Sequence, residues 1–301
     1  MDFKEQKKEN FILITGSSGL VGDALITSLK NRNIKFVGCD IKNPARKDFI
    51  FEKCNLASEK EVFRLFQKYD FTQVVHLAAY IKSGNLNSAE REKMFQGNIL
   101  ATFNLVSAIK KNKIKRVIFL SSMTVYGLPQ YLPVDENHQL SPLDFYAFSK
   151  VVSEEIIKKS NTDYLILRFP GIFALNRKAG AIYNFISKAI RGEDIHISEK
   201  SSMPWDVIFI EDVIGSLIYS IKSEKKNGIF NIGYGETIDL FSVAQRIVKL
   251  CKSGSKIIKD FSVNYPPFCL DVKKSKAFFD NKKSFLNFRI TQFINFLKNE
   301  R

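Results

Sequence analysis

Phe11-Ile-Leu-Ile-Thr-Gly16-Ser-Ser-Gly19-Leu-Val-Gly22 is the stretch that decides the fold. The apolar run from Phe11 has the length of a buried strand and leads straight into three glycines. Beyond them Leu20, Val21, Ala24, Leu25 and Leu29 keep one apolar stripe at helical spacing. Strand, glycine loop and helix in that order predict a tight turn whose backbone approaches a pyrophosphate at a helix N-terminus. A second strand over Lys35 to Cys39 ends on Asp40, about twenty residues beyond the loop. A carboxylate there accepts hydrogen bonds from ribose hydroxyls and repels the extra phosphate of NADP, which favours NAD. A glycine turn that holds no ligand is the bland alternative.

Working outward, strands are predicted near 11–15, 35–39, 49–54, 72–77, 115–121 and 163–168, with amphipathic helices between most of them. That alternation predicts a doubly wound parallel α/β sheet whose ligands sit beyond the carboxyl ends of the strands. The glycine loop, Asp40, Ala78, Ala79, Ser121 and Ser122 all fall there. After Phe169 the pattern loosens into helices near 180–191, 211–222 and 240–252 with short strands over 195–198 and 207–210. The expected division is a dinucleotide-binding domain over 1–170 and a smaller mixed α/β substrate lobe over 171–301. Tyr146 and Lys150 stand one helical turn apart and share a face, so the ammonium is expected to favour the phenolate. Alone this pair is also an ordinary half-buried helix pattern.

Together, Thr15 to Gly22, Asp40, His76-Leu-Ala-Ala79, Ser121-Ser-Met-Thr-Val-Tyr-Gly127 and Tyr146-x-x-x-Lys150 resemble the extended short-chain dehydrogenase/reductase family. Arg168-Phe-Pro170, Trp205 to Val213 and Phe230-Asn-Ile-Gly233 extend the resemblance over nearly the whole chain, which looks most like the nucleotide-sugar epimerase branch. The resemblance implies that Ser122, Tyr146 and Lys150 are catalytic. It places Gly16, Ser18, Gly19, Leu20, Val21, Asp40, Asn55, Leu56, Leu77, Ala78, Ala79, Ser121, Tyr146, Lys150, Phe169 and Pro170 against NAD. Ser122, Met123, Thr124, Tyr146, Gly171 and Trp205 would face the substrate. It also implies a homodimer through helices over about 98–111 and 146–159. Asn98 matches a family position with a structural and proton-relay role, and a packing asparagine fits equally. His76 suits packing beside the cofactor, while His138 and His196 suit ordinary surface or satisfied roles.

The implied chemistry is reversible hydride transfer between a sugar carbon and NAD, with Tyr146 as base, Lys150 beside it and Ser122 sharing charge on oxygen. Epimerisation, net oxidation and ketone reduction use the same three groups; a non-catalytic dinucleotide-binding module is the alternative of another class. The 4,6-dehydratases carry an Asp-Glu pair after the catalytic hydroxyl, where this chain has Met123 and Thr124, so the resemblance favours 4-epimerisation of a nucleotide sugar. Trp205 stands where the epimerases usually carry a diphosphate-gripping Arg, Gly171 replaces their usual Asn, and Asn264-Tyr-Pro-Pro267 replaces Arg-Pro-Gly. Arg177, Lys178, Lys200 or Lys273 are the cations that would substitute.

The remaining composition narrows the class. Of 301 residues, 45% are hydrophobic, enough for a sizeable core. The net charge of +15 comes from lysines scattered beside acids, which reads as solvated surface rather than a nucleic-acid stripe. Met1 to Asn10 lacks the apolar core of a signal peptide and no apolar run reaches a membrane span, so a cytoplasmic protein is expected. Cys39, Cys54, Cys251 and Cys269 lack metal-ligand spacing and are expected to be free thiols, with no metal site.

Overall fold

The computed structural model describes residues 10–82, 84–174, 180–197, 206–237, 239–259, 267–278 and 285–299. The first part alternates β1 (Asn10–Thr15), α1 (Leu20–Lys30), β2 (Phe36–Asp40), β3 (Phe51–Lys53), α2 (Glu59–Lys68), β4 (Asp70–His76), α3 (Ser88–Met94), α4 (Ala101–Lys111), β5 (Arg116–Ser122), α5 (Phe145–Lys158) and β6 (Asp163–Phe169). Then follow β7 (Gly171–Phe173), α6 (Ala181–Arg191), β8 (Ile195–Ile197), β9 (Val207–Phe209), α7 (Ile210–Lys222), β10 (Gly228–Asn231), α8 (Leu240–Cys251), β11 (Ile257–Lys259) and α9 (Phe285–Asn299).

Seven strands form one parallel sheet in the order β10-β6-β5-β4-β1-β2-β3. The chain winds outward from β1 to β3 and then returns to lay β4 on the other side of β1. The carboxyl ends of β1 and β4 therefore diverge into helices on opposite faces, the place where such sheets bind ligands. Leu13, Val37, Val74, Val117 and Ile166 from the strands share a core with Phe66, Leu105 and Ile109 from the helices. Both faces of the central strands are covered, which is why these strands read as continuous apolar runs. The predicted Rossmann-type sheet is thus present, with one addition: β10 joins its edge beside β6.

The chain divides into two compact units that interleave in sequence. One runs to Leu128 and takes in Gln139–Arg168 and Leu217–Phe230; the other contains Pro129–His138, Phe169–Ser216 and the chain from Asn231 onward. In the second unit α6, α8 and α9 close over Phe185, Ile186, Val243, Ile247, Ile290 and Phe293. Two small parallel pairs, β8 with β11 and β7 with β9, complete it. The helices near 180–191, 211–222 and 240–252 fall on α6, α7 and α8, whereas β7, β11 and α9 lie beyond the coarse pattern.

Candidate active site

The glycine loop is built for close backbone approach. Gly16 has φ +70°, and a Cβ there would lie 2.6 Å from Ala78 N and 2.9 Å from Leu77 C. A Cβ on Gly22 would lie 2.2 Å from Gly16 O, so the first turn of α1 packs directly on the loop. Gly19 is the N-cap of α1 and offers no side-chain acceptor, which leaves the opening N–H groups of the helix for an external anion. Asp40, at the end of β2, accepts from Ser18 N and from Lys42 N, each at 3.0 Å, one on each carboxylate oxygen. Ser18 Oγ donates to Lys42 O at 2.8 Å, fixing the acid beside the loop. Gly16, Ser18, Gly19, Asp40, Leu77 and Ala78 are thereby brought together, and this cradle fits a dinucleotide. Asn55 caps its own turn through Ala57 N at 3.0 Å, and Leu56 is buried with its carbonyl held by Asn104.

Beneath the loop lies an ordered polar chain. Thr15 Oγ1 accepts from Leu77 N and Ala78 N and shares its proton with His76 Nδ1 at 2.7 Å. His76 Nε2 lies 3.0 Å from Thr102 Oγ1, whose hydroxyl donates to Asn98 O at 2.5 Å. Burial, and then the charge of Lys150, push His76 down to about 3, so the ring is neutral and its Nε2–H donates. Asn98 lies in a π-helical segment, Phe95–Leu100, and its carbonyl, which meets the Ala101 N–H, also accepts from the Thr102 and Ser153 hydroxyls. Its amide grips Tyr80 N and O at 2.6 and 3.1 Å and Ser149 Oγ at 2.9 Å. Asn98 thus ties α5 to the loop after β4.

Asp144 caps α5 through Ala147 N at 2.7 Å, which starts the helix so that Tyr146 and Lys150 rise on one face. Lys150 is 2% exposed; its Nζ donates to Leu120 O at 2.8 Å and lies 4.6 Å from the Phe119 ring and 5.8 Å from the Tyr146 ring. Burial lowers Lys150 to about 8 against the upward pull of Glu154, so it keeps its charge at neutral pH. The expected lowering of Tyr146 is not met in the protein alone. Burial first and the Asp144 carboxylate second push the phenol up to about 12. The ammonium is aimed at the carbonyl of β5 and the Phe119 face.

Ser122 ends β5 and its Oγ accepts from Thr124 N at 3.2 Å and Thr124 Oγ1 at 2.9 Å. Thr124, expected at the substrate, points its hydroxyl at Ser122. Ser121 points into the core and donates to Glu154 Oε1 at 2.5 Å. There Glu154 and Arg168 form a bidentate pair at 2.6 and 3.0 Å, with Arg168 also donating to Tyr126 Oη at 2.9 Å. This pair supports the site from below and escaped the sequence reading, although an Arg inside the apolar run Tyr164–Phe169 is a signal that a buried carboxylate must meet it.

Phe169 is buried, Pro170 follows it, and Gly171 opens β7 opposite Val207. Lys273 is 80% exposed and paired with Asp271 at 3.0 Å. Trp205, Arg177, Lys178, Lys200 and residues 264–266 lie outside the described residues. Among the described residues no cluster of three His, Cys, Asp or Glu could hold a metal ion, and no helix is long and apolar enough to cross a membrane.

The family model for the NAD dependent epimerase/dehydratase family matches residues 12–233, from β1 to the turn after β10. The chain belongs to that family. A putative UDP-glucose 4-epimerase of Methanocaldococcus jannaschii is 29% identical, covering 96% of this chain and 98% of the relative. A dTDP-4-dehydro-6-deoxyglucose reductase of Escherichia coli is 28% identical, covering 90% and 92%. Among solved structures, the UDP-glucose 4-epimerase of Thermotoga maritima with UDP-glucose superposes with a TM-score of 0.83 at 20% identity, covering 97% of this chain and 99% of that one. As a member of this family the chain is an enzyme, and its relatives include both epimerases and reductases.

Proposed function

We propose that this enzyme binds NAD and epimerises a nucleotide sugar at the 4-carbon through a transient keto sugar. The observation that carries the reading is the pairing of Tyr146 and Lys150 on α5 with a donor hydroxyl, Ser122, at the end of β5, followed by Met123 and Thr124 instead of two acids. The family and the near full-length epimerase relative support it.

In this reading the loop at Gly16 to Gly22 and Asp40 hold the dinucleotide. NAD bound there supplies a hydride acceptor and then a hydride donor. Tyr146, as phenolate, is the base for the sugar hydroxyl, and Ser122 hydrogen-bonds the same oxygen as charge develops on it. Lys150 brings a buried positive charge that stabilises the phenolate, and the positive charge of an oxidised nicotinamide acts in the same direction on a group that otherwise titrates near 12. With only a thioether after Ser122, elimination of water lacks a proton donor at that position.

The test is to mix purified protein carrying NAD with a panel of nucleotide sugars and free sugars, following nicotinamide absorbance and identifying products. An inverted sugar with no net reduced cofactor supports the reading. Stoichiometric reduced cofactor favours the second reading, a dehydrogenase or ketoreductase, which the reductase relative supports. If Tyr146→Phe leaves a measured biological activity intact, a non-catalytic binding role replaces both.

We also propose a homodimer through α4 and α5, where Phe103 and Phe148 are 56% and 47% exposed. Sedimentation at several concentrations showing only monomer would overturn it. A cytoplasmic location suits four free cysteines.

A further inference from the structure

We propose that Thr124 is a positioning residue that turns Ser122 into a proton donor only, so that the sugar proton passes directly to Tyr146 and not through the serine. The proposal rests on the catalytic reading above and goes beyond it, because the same three catalytic residues are compatible with two proton routes. In one, Ser122 accepts the sugar proton and passes its own to Tyr146. In the other, Ser122 only donates.

A serine hydroxyl has two lone pairs and one proton. Thr124 N–H and Thr124 Oγ1–H both donate to Ser122 Oγ, at 3.2 and 2.9 Å. The tight turn Met123–Tyr126, for which Ser122 is the N-cap, holds both donors in place. That turn is itself anchored: Val125 and Tyr126 are fully buried, and Ser141 N donates to Val125 O at 3.1 Å. With both lone pairs engaged, the remaining direction at the oxygen is the O–H bond. Among the described residues no acceptor meets it, and Ser122 is half-buried, so it is open to an incoming oxygen.

The relay route demands that Ser122 Oγ accept a proton while giving one up. It must first release Thr124, and the threonine hydroxyl would then need another acceptor. The direct route breaks no existing bond. The O–H bond of the sugar breaks and its proton goes to the Tyr146 phenolate oxygen. The electron pair left on the sugar oxygen is stabilised by the Ser122 hydrogen bond, which remains a hydrogen bond throughout, and closes to C=O as the C–H bond breaks; NAD, when bound, would be the acceptor of that hydride. One proton is in flight.

Two measurements test this. A neutron structure of the deuterium-exchanged protein should show the Thr124 hydroxyl deuteron on the line to Ser122 Oγ and the Ser122 deuteron directed away from it. The reverse arrangement overturns the proposal whatever the substrate proves to be. With a substrate in hand, single-turnover cofactor reduction in mixed light and heavy water should depend linearly on deuterium fraction; a bowl-shaped curve, two protons moving together, overturns it. Thr124→Val should slow that step roughly fivefold to tenfold, the worth of one oriented hydrogen bond, with little change in KM, and Thr124→Ser should restore it. Thr124→Val equal to or faster than the parent, with unchanged melting, overturns it as well, since a relay serine gains from a freed lone pair. Failure of every sugar to react would instead remove the catalytic reading, while the neutron result would still decide the orientation of Ser122.

Discussion

Replacing Glu154 by alanine should cost about 3–5 kcal/mol of stability, the usual consequence of breaking one side of a buried ion pair. Glu154 is fully buried and Arg168 is 2% exposed. The carboxylate accepts two guanidinium bonds and the Ser121 hydroxyl, all between 2.5 and 3.0 Å. Its removal leaves the guanidinium at full desolvation cost without its carboxylate, and leaves Ser121 without its acceptor. Urea denaturation followed by far-UV circular dichroism measures the loss. A double variant, Glu154→Leu with Arg168→Met, removes both charges and should recover most of it. The consequence reaches Lys150 on α5. Glu154 holds Lys150 up against burial, so its loss should carry the lysine below about 8 and leave less of it charged at neutral pH. A single variant destabilised by under about 1 kcal/mol, or a double variant as damaged as the single one, would refute the reasoning.

Tyr146→Phe should abolish sugar turnover by about a hundredfold or more while NAD still binds, read by cofactor fluorescence beside product analysis. Gly16→Ala should fold yet lose NAD affinity, because its Cβ would meet Ala78 N at 2.6 Å and φ is +70°, so the loop must shift; calorimetric titration with NAD checks it. Asp206 is fully buried and burial raises it from 3.8 to about 7 despite the backbone N–H groups of Tyr234 and Gly235 that favour its charge. A carboxyl raised in the folded state holds a proton that the unfolded chain has released. Stability should therefore be full below about 4 and fall by about 1.4 kcal/mol per pH unit as pH rises toward 7, a slope that Asp206→Asn removes.

How much of this was legible in the sequence follows from the range of each interaction. The glycine loop, α1 and Asp40 were readable because their constraints are local: a turn, a stripe, an acid at a strand end. Tyr146 and Lys150 were readable for the same reason, since one helical turn fixes their relation. The short strands β7 and β11, three residues each, are too brief to show a period, and β10 reads as a strand only once β6 is there to pair with it. Polar groups that meet only through tertiary packing were hidden most deeply. Ser121 reads like a cofactor contact and faces a carboxylate 33 positions away. Tyr146 carries the same lesson in electrostatic form. Its spacing from Lys150 promises a lowered pKa, but spacing reports proximity and not desolvation. A phenol beside Asp144 in a half-buried helix face starts near 12, so the three-dimensional surroundings reverse the sign that the motif alone suggests. If Tyr146 is the base proposed above, it must then be made one at the moment positive charge arrives beside it. The motif supplies the group, and the fold decides when it is a base.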